Sequence, residues 1–381
     1  MFSRVSENKV SHPARFALLV TLALAQACTS PVVRPLDVSP TPTLPPPVSP
    51  VAVAKPEPPV ACDPVSETAR GARRAQFKLV TGPERETDIE IGRDLARFVA
   101  PCAGIRIEVL SSKGSTENMH RLHADPNVKL AIVNSDVYQS FVGMAAAGNK
   151  KAARIVRATR PLMPLYSEEI YFVARSDSAL QAIHDIADIR INLGPIGSGS
   201  VLSVSALYRR MFNNPIPVAN ASFLGDEDAL IALTFTRTID VMVVIAGQPA
   251  KLFADMKPEA RDLIKLLRYE PDASATRALP QPYAPAVIRS TSYPTWLSKD
   301  VPTLSVMSML VASKNKDRKS VDRLNAFTRS LCQNIDILRA HGHSKWREVE
   351  LDDKVKVASY RTSGGKIESN RCASRPVLAR R

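Results

Sequence analysis

Asn192-Leu193-Gly194-Pro195-Ile196-Gly197-Ser198-Gly199-Ser200 is the stretch whose reading decides the fold. It follows the short apolar run Ile189-Arg190-Ile191 and precedes a helix-like segment, Val201 to Met211. A strand, a glycine-rich turn and a helix start place free backbone N–H groups and a positive helix end at one point. Glycine lets a backbone approach a ligand closely, and serine hydroxyls add donors. A Gly-Ser turn also serves as a plain connector, so the loop takes its meaning from the segments around it.

Those segments alternate. Phe77 to Val80 reads as a strand ending in Thr81-Gly82-Pro83, and Asp88 to Val99 has helical spacing. Ile105 to Leu110 alternates as a strand, Ser111 to Gly114 turns, and Ser115 starts a helix running to about His123. Val128 to Val133 is an apolar strand leading into Asn134-Ser135-Asp136 and another helix. The pattern then repeats: strand Ile170 to Val173, helix Ala179 to Ile186, strand Ile189 to Asn192, the Gly-Ser loop and its helix. A helix from Asp226 to Thr234, a buried strand from Ile239 to Ile245, a strand from Leu304 to Ala312 and a helix from Leu324 to His341 complete the core. Strands alternating with helices predict α/β lobes, each a mostly parallel sheet flanked by helices. Such sheets bind ligands at the carboxyl ends of their strands. The loops Thr81-Gly82, Ser111 to Ser115, Asn134 to Asp136, Gly194 to Ser200 and Gly247-Gln248-Pro249 all lie there, some in each half. A ligand cleft between two lobes is the expectation.

The chain has 381 residues, and those outside this core add an address. Arg4, Lys9 and Arg15 precede an apolar run, Phe16 to Ala27, of signal-peptide length. It ends in Leu24-Ala25-Gln26-Ala27-Cys28, similar to the lipobox of bacterial lipoproteins, which predicts lipidation of Cys28. Cleavage after Ala27 leaving a plain thiol is the alternative. Residues 28–64 hold 12 of the 30 prolines, a composition too poor to bury a core, and read as a semi-rigid tether. The net charge of +14 invites a nucleic-acid partner, but half of it sits in the tail at 354–381, which reads as a basic, disordered end. Within the core the basic residues are scattered without a stripe of interleaved aromatics, so no nucleic acid is expected. In an oxidising compartment Cys62, Cys102, Cys332 and Cys372 suit two disulfides, in any of three connectivities. The domain reading is a signal at 1–27, a tether at 28–64, a binding domain at 65–353 and the tail. Within that domain lobe 1 is assigned to about 75–166 and 285–353, and lobe 2 to about 167–284.

The order of motifs resembles the TAXI-type solute receptors of TRAP transporters, which have a type II periplasmic binding protein fold. The matching pieces are Ser112-Lys113-Gly114-Ser115-Thr116-Glu117-Asn118, Leu130 to Asp136, Pro164-Leu165-Tyr166-Ser167-Glu168, Gly194 to Ser200, and Ile239-Asp240-Val241 leading into Gly247-Gln248-Pro249. Tyr293-Pro294 and Val301-Pro302-Thr303 close the series. The resemblance implies an extracytoplasmic receptor for a small carboxylated, amino-acid-like solute, delivering it to an integral membrane permease on a separate chain; the Pro-rich lipoprotein tether and the basic tail are extra to the family pattern. A sensor of the same fold acting on a membrane signalling partner is the alternative. One departure is plain. Where the family has a glycine-rich first loop followed by aromatics, this chain reads Thr81-Gly82-Pro83-Glu84-Arg85-Glu86-Thr87-Asp88. Asn134 also stands where the family more often has glutamine.

The resulting candidate ligand residues are Thr81, Gly82, Ser112, Gly114, Ser115, Asn118, Asn134, Ser135, Asp136, Tyr166, Gly197, Ser198, Gly199, Ser200 and Gln248. Each has a competing structural reading: Ser115 and Asp136 as helix caps, Tyr166 as packing between lobes, Gln248 as a turn residue, and Glu84, Arg85 and Glu86 as a solvated loop. Catalysis is not expected. No dinucleotide fingerprint or P-loop occurs, and neither a nucleophile beside a base nor a metal-ligand pair is visible. No cofactor and no metal are therefore expected.

Overall fold

The computed structural model describes residues 75–350 except Ala278, Pro280, Asn315 and Lys316. The expected signal, Cys28, the tether, Cys62, Cys372 and the basic tail lie outside the described residues. Cys102 and Cys332 are each disulfide-bonded.

Three strands, β1 (Ala75–Val80), β2 (Ile105–Leu110) and β3 (Val128–Asn134), begin the fold, with α1 (Thr87–Asp94), α2 (Ser115–Ala124), α3 (Ser135–Ala146) and α4 (Lys150–Ala158) between and after them. A 17-residue strand, β4 (Thr159–Arg175), leads into β5 (Ile191–Asn192), α5 (Gly199–Phe212), β6 (Ala221–Ser222), α6 (Asp226–Thr234) and β7 (Val241–Ala246). Then come α7 (Lys251–Ala254), α8 (Ala260–Leu263), β8 (Ile264–Leu266), β9 (Tyr283–Ile288), β10 (Val301–Ser313), α9 (Arg318–Gln333) and α10 (Ile335–His341).

The strands form one sheet in the order β2-β1-β3-β10-β4-β7-β5-β6, with β8 paired to β4 and β9 to β10. The pairs β1/β2, β1/β3, β5/β6 and β5/β7 are parallel, while every pair made by β4 or β10 is antiparallel. The expectation of mostly parallel lobes therefore holds for their βαβ parts and fails at their junction. The reason is that β4 and β10 each belong to both lobes. β4 pairs with β10 from Thr159 to Ile170, then with β7 from Glu169 to Ala174. β10 pairs with β9 from Val301 to Val306, then with β3 from Ser308 to Ala312. The chain crosses between lobes on these two strands, which makes them the hinge of a two-lobed periplasmic binding protein fold. All of it lies in one compact unit.

Alternation of side chains sends each half of the sheet into two cores. In β3, Leu130 and Ile132 join Phe77, Leu95, Phe98 and Leu331 on one face. Ala131 and Val133 join Met119, Val137, Phe141 and Ile155 on the other. In β7, Val241 and Val243 pack with Phe172 and Leu207, and Met242 and Val244 with Tyr171 and Phe253. Strands covered on both faces read as unbroken apolar runs, which is why β3 and β7 are legible in the sequence.

Four elements differ from expectation for local reasons. β4 extends far beyond the expected Ile170 to Val173, because pairing with β10 carries it through Pro161 and Pro164, which argue against a strand locally. The sheet accommodates them beside register shifts at Met307/Met309 and Leu310/Val311. β9 hides in a proline-rich stretch, where Pro285 is tolerated on a strand whose named partner is β10 alone. The expected helix Ala179 to Ile186 shrinks to a single 3₁₀ turn at Ile183–Ile186. The Asp185 carboxylate accepts the N–H groups of Gln181 and Ala182 there, at 2.8 and 2.9 Å, and holds them outside a helix. The long final helix starts at Arg318, capped by Asp317, and breaks at Asn334 into α9 and α10.

Candidate functional site

A cavity of about 950 Å³ lies between the lobes. Lobe 1 walls it with the loop entering α1 and with Ser112 to Ser115, the hinge contributes Glu168 from β4, and lobe 2 contributes Ser198 to Ser200 and Gly225 to Asp228. The chain order of the fold dictates this. Loops at the carboxyl ends of β1, β2 and β3 lead directly into α1, α2 and α3, so the helix N-termini gather on one side of lobe 1. In lobe 2 the Gly-Ser loop leads into α5, and Gly225 leads into α6.

The two Gly-Ser loops meet across the cleft. Thr116 Oγ1 donates to the Ser198 carbonyl at 2.9 Å. Gly199 packs so closely on lobe 1 that a Cβ there would stand 3.0 Å from Ser115 Cβ and 3.2 Å from Ser115 N. Gly114 turns with φ +106°, a conformation that side chains resist. Ser198 is 4% exposed and its Oγ has no hydrogen-bond partner.

The expected ligand residues separate into wall and support. Ser112, Gly114, Ser115, Asn134, Ser198, Gly199 and Ser200 line the cavity. The Ser115 hydroxyl bonds Asn134 Oδ1 at 3.2 Å and accepts the Asn134 N–H at 2.9 Å, and the Asn134 amide donates to Glu168 at 2.7 Å. The Ser112 hydroxyl accepts the Gly114 N–H at 2.9 Å and lies 2.6 Å from Asn118 Oδ1. Thr81 and Asn118 stand behind this wall. The Asn118 amide donates to the Thr81 and Ile132 carbonyls, and Thr81 Oγ1 to the Leu110 carbonyl at 3.2 Å, tying β1, β2 and β3 to the loop. Gly82 sits beneath Glu86 and Asp88, where a Cβ would come within 3.1 Å of Glu86 Oε2.

Five expected residues lie elsewhere. Ser135 is buried outside the cavity wall. Asp136 accepts the Val137 N–H at 2.8 Å and a bond from the Tyr283 hydroxyl at 3.4 Å. Gln248 is spent on β9: its amide donates to the Val287 carbonyl at 2.9 Å and accepts the Arg289 N–H at 2.9 Å. Tyr166 is buried and donates to the Asp88 carboxylate from behind the wall. Gly197 serves the turn, with φ +88°.

Sequence reasoning missed the chemistry of the wall, which is acidic. Glu86 and Asp88 enter from lobe 1, Glu168 from the hinge and Asp226 from lobe 2. Burial pushes the Asp88 carboxyl up to about 6. Burial also raises Glu86 well above the carboxylate range, with Asp226 and Asp88 adding repulsion. Glu168 rises well above it by burial, then by the charges of Asp88 and Glu86, and Asp226 rises by burial and Glu227. Asp88 and Glu168 accept bonds from neutral donors, Tyr166, Ser308 and Asn134. Among the described residues, none of the four carboxylates has an ion-pair partner. The signal was present: the charged run Glu84 to Asp88 replaces the glycines and aromatics of the resembling family. At the mouth, Arg85 joins Glu227 across the lobes at 3.0 Å, an exposed pair of small energetic value. Among the described residues no group of three or more His, Cys, Asp or Glu side chains is arranged to hold a metal ion.

A model of the NMT1-like family matches residues 79–360. Among solved structures, the chain is similar to XAC2383 from Xanthomonas citri bound to ATP, at 13% identity and a TM-score of 0.41, covering 72% of this chain and 89% of that one. It is similar to the substrate binding protein of an amino acid ABC transporter, at 13% identity and a TM-score of 0.42, covering 70% and 98%. It is also similar to the arginine-, lysine-, histidine-binding protein ArtJ from Geobacillus stearothermophilus, at 10% identity and a TM-score of 0.42, covering 70% and 94%.

Proposed function

The chain belongs to the NMT1-like family, and on that premise we propose that it is an extracytoplasmic solute-binding protein. It closes two lobes over a small amino-acid-like solute and passes it to an integral membrane permease on a separate chain. It binds its solute without converting it. The TRAP type of permease is the one its loop order favours, and a lipid on Cys28 would hold it at the membrane. No described helix is long and apolar enough to cross a membrane.

The observation that carries this reading is the cavity, because its wall is drawn from both lobes and from the hinge strand between them. A ligand there touches both moving bodies, so its binding energy acts directly on closure. The α2 and α5 N-termini with Ser115 and Ser198 suit a carboxylate, and the acidic wall suits the ammonium of the same molecule. Candidate residues Thr81, Asn118, Tyr166, Asp136 and Gln248 then act by holding the wall rather than by touching the solute.

The test is a thermal-shift screen of the purified protein over amino acids and small organic acids, with native mass spectrometry for a co-purifying solute. A ligand at a hundredfold excess over its dissociation constant should stabilise the folded state by about 2.7 kcal/mol. A flat response across the panel, with nothing co-purifying, refutes the reading.

A further inference from the structure

Nine carboxylate side chains and three lysine or arginine side chains line the cavity between the lobes. Arg85 is committed to Glu227 and Asp255, at 3.0 and 3.7 Å. Glu84 and Glu90 are neutralised from outside by Arg93, at 2.7 and 2.5 Å. With these pairs set aside, Glu86, Asp88, Glu168, Asp226 and Asp228 face Lys113, Lys251 and His343 on the lining, and Lys345, bonded to Glu169, acts on Glu168 from behind it. Lys113 and Lys251 are exposed at the rim, whereas Asp88 and Glu168 are 5% and 4% exposed. The inner wall is therefore acidic, and among the described residues Glu86, Asp88, Glu168 and Asp226 have no ion-pair partner.

Buried charge without a partner is expensive, and a binding site that keeps it must recover the cost when loaded. The distribution of the carboxylates says how. Asp226 stands on lobe 2, Glu86 and Asp88 on lobe 1, and Glu168 on the hinge, so closure brings like charges together. An anionic guest adds to that repulsion, and a neutral guest leaves it. A single α-ammonium, balanced by its own carboxylate, adds no net charge. We infer that the cavity selects a solute of net positive charge, an amino-acid-like or diamine-like molecule with a cationic group beyond the one balanced by its carboxylate. A metal cation does not fit this wall, since no three described ligand-type side chains converge on one point. The buried, unpartnered Ser198 Oγ on the same wall supplies a separate polar contact for the uncharged or carboxylate part of the guest. The four carboxyls' upward shifts are consistent with a wall awaiting a cation.

This inference rests on the solute-binding reading, and one titration series separates the two. The whole protein is titrated calorimetrically with L-arginine, L-lysine, 1,4-diaminobutane, L-glutamine, L-glutamate and succinate. The expected result is binding of at least one dicationic or basic probe ten-fold or more tighter than L-glutamine, with L-glutamate and succinate weaker still. Tightest binding of L-glutamine, L-glutamate or succinate overturns the charge assignment and leaves the solute-binding function standing. Failure of all six overturns both. Glu86→Gln provides the second arm. The Glu86 side chain has no hydrogen-bond partner among the described residues, so this variant should unfold at a midpoint no lower than the wild type while its affinity for the basic probe falls ten-fold or more. Unchanged affinity in Glu86→Gln and in Asp226→Asn also overturns the inference.

Discussion

Replacing Gly199 by alanine tests whether the contact between the two Gly-Ser loops is the closure contact. The new Cβ would stand 3.0 Å from Ser115 Cβ, 3.2 Å from Ser115 N and 3.3 Å from Ser115 Oγ. Ser115 cannot rotate away cheaply, because its hydroxyl both bonds Asn134 Oδ1 and accepts the Asn134 N–H. Its backbone begins α2 and is fixed by the helix. Overpacking of this kind costs about 1–3 kcal/mol. The clash lies between lobes, so parting them by a few tenths of an ångström relieves it without unfolding either one. The cost should therefore fall on the closed state alone. At 1.4 kcal/mol per tenfold, solute affinity should drop by about 5- to 150-fold. The unfolding midpoint without solute should move little. Calorimetric titration gives the affinity, and small-angle scattering gives the degree of opening. Gly143→Ala on α3 is the control, since nothing stands within 4 Å of its Cβ position. Wild-type affinity in Gly199→Ala, or an equal loss of stability in solute-free protein, would refute the reasoning.

Three further outcomes follow from single groups. Lys345 Nζ is 1% exposed and bonds Glu169 at 3.0 Å, Glu348 at 2.9 Å and the Ser167 carbonyl at 2.9 Å; Lys345→Met should cost about 3–5 kcal/mol in urea unfolding, and adding Glu169→Leu should return most of it. Burial lifts the Asp88 carboxyl from 3.8 to about 6, so its ionisation in the folded protein costs on the order of 3 kcal/mol, present in full above about pH 6 and gone below about pH 4. Asp88→Asn keeps an acceptor for Tyr166 and should raise the unfolding midpoint at pH 8 but not at pH 4; equal effects at both would deny the buried charge. Asn149 caps α4 by accepting the N–H groups of Lys151 and Ala152 at 3.0 Å each, and Asn149→Ala should lower stability by about 0.5–2 kcal/mol in thermal unfolding.

What the sequence disclosed and what it hid have physical causes. β2 and α6 stand where alternation and helical spacing place them, because each obeys a single local rule. The Gly-Ser loops were legible because glycine and serine before a helix leave few alternatives. The hinge was not. β4 contains two prolines and the polar run Ser167-Glu168-Glu169, features that argue against a strand locally and are overridden by pairing on both sides. The acidic wall was hidden for a related reason. Glu86 and Asp226 read as ordinary residues near helix starts, where acids favour the helix dipole. Only the folded arrangement places them on facing walls of one cavity.

Glu168 and Glu169 carry this point furthest. They are identical and adjacent, and strand geometry sends them to opposite faces of β4. Glu169 meets Lys345 and accepts the Gln248 N–H at 3.0 Å, so its charge is matched within the hinge. Glu168 enters the cavity with the Asn134 amide as its donor; burial and then the charges of Asp88 and Glu86 raise its carboxyl, and Lys345, bonded to Glu169, lowers it by a smaller effect. One carboxylate is held in an ion pair, and the other has none among the described residues. A hinge must keep its geometry in both open and closed states, which requires the matched charge to stay matched throughout. The carboxylate next to it has no ion pair to preserve, and it faces the cavity. On the proposed reading, Glu168 is the wall residue through which a solute's charge would reach the hinge, one peptide unit from the ion pair of Glu169 with Lys345.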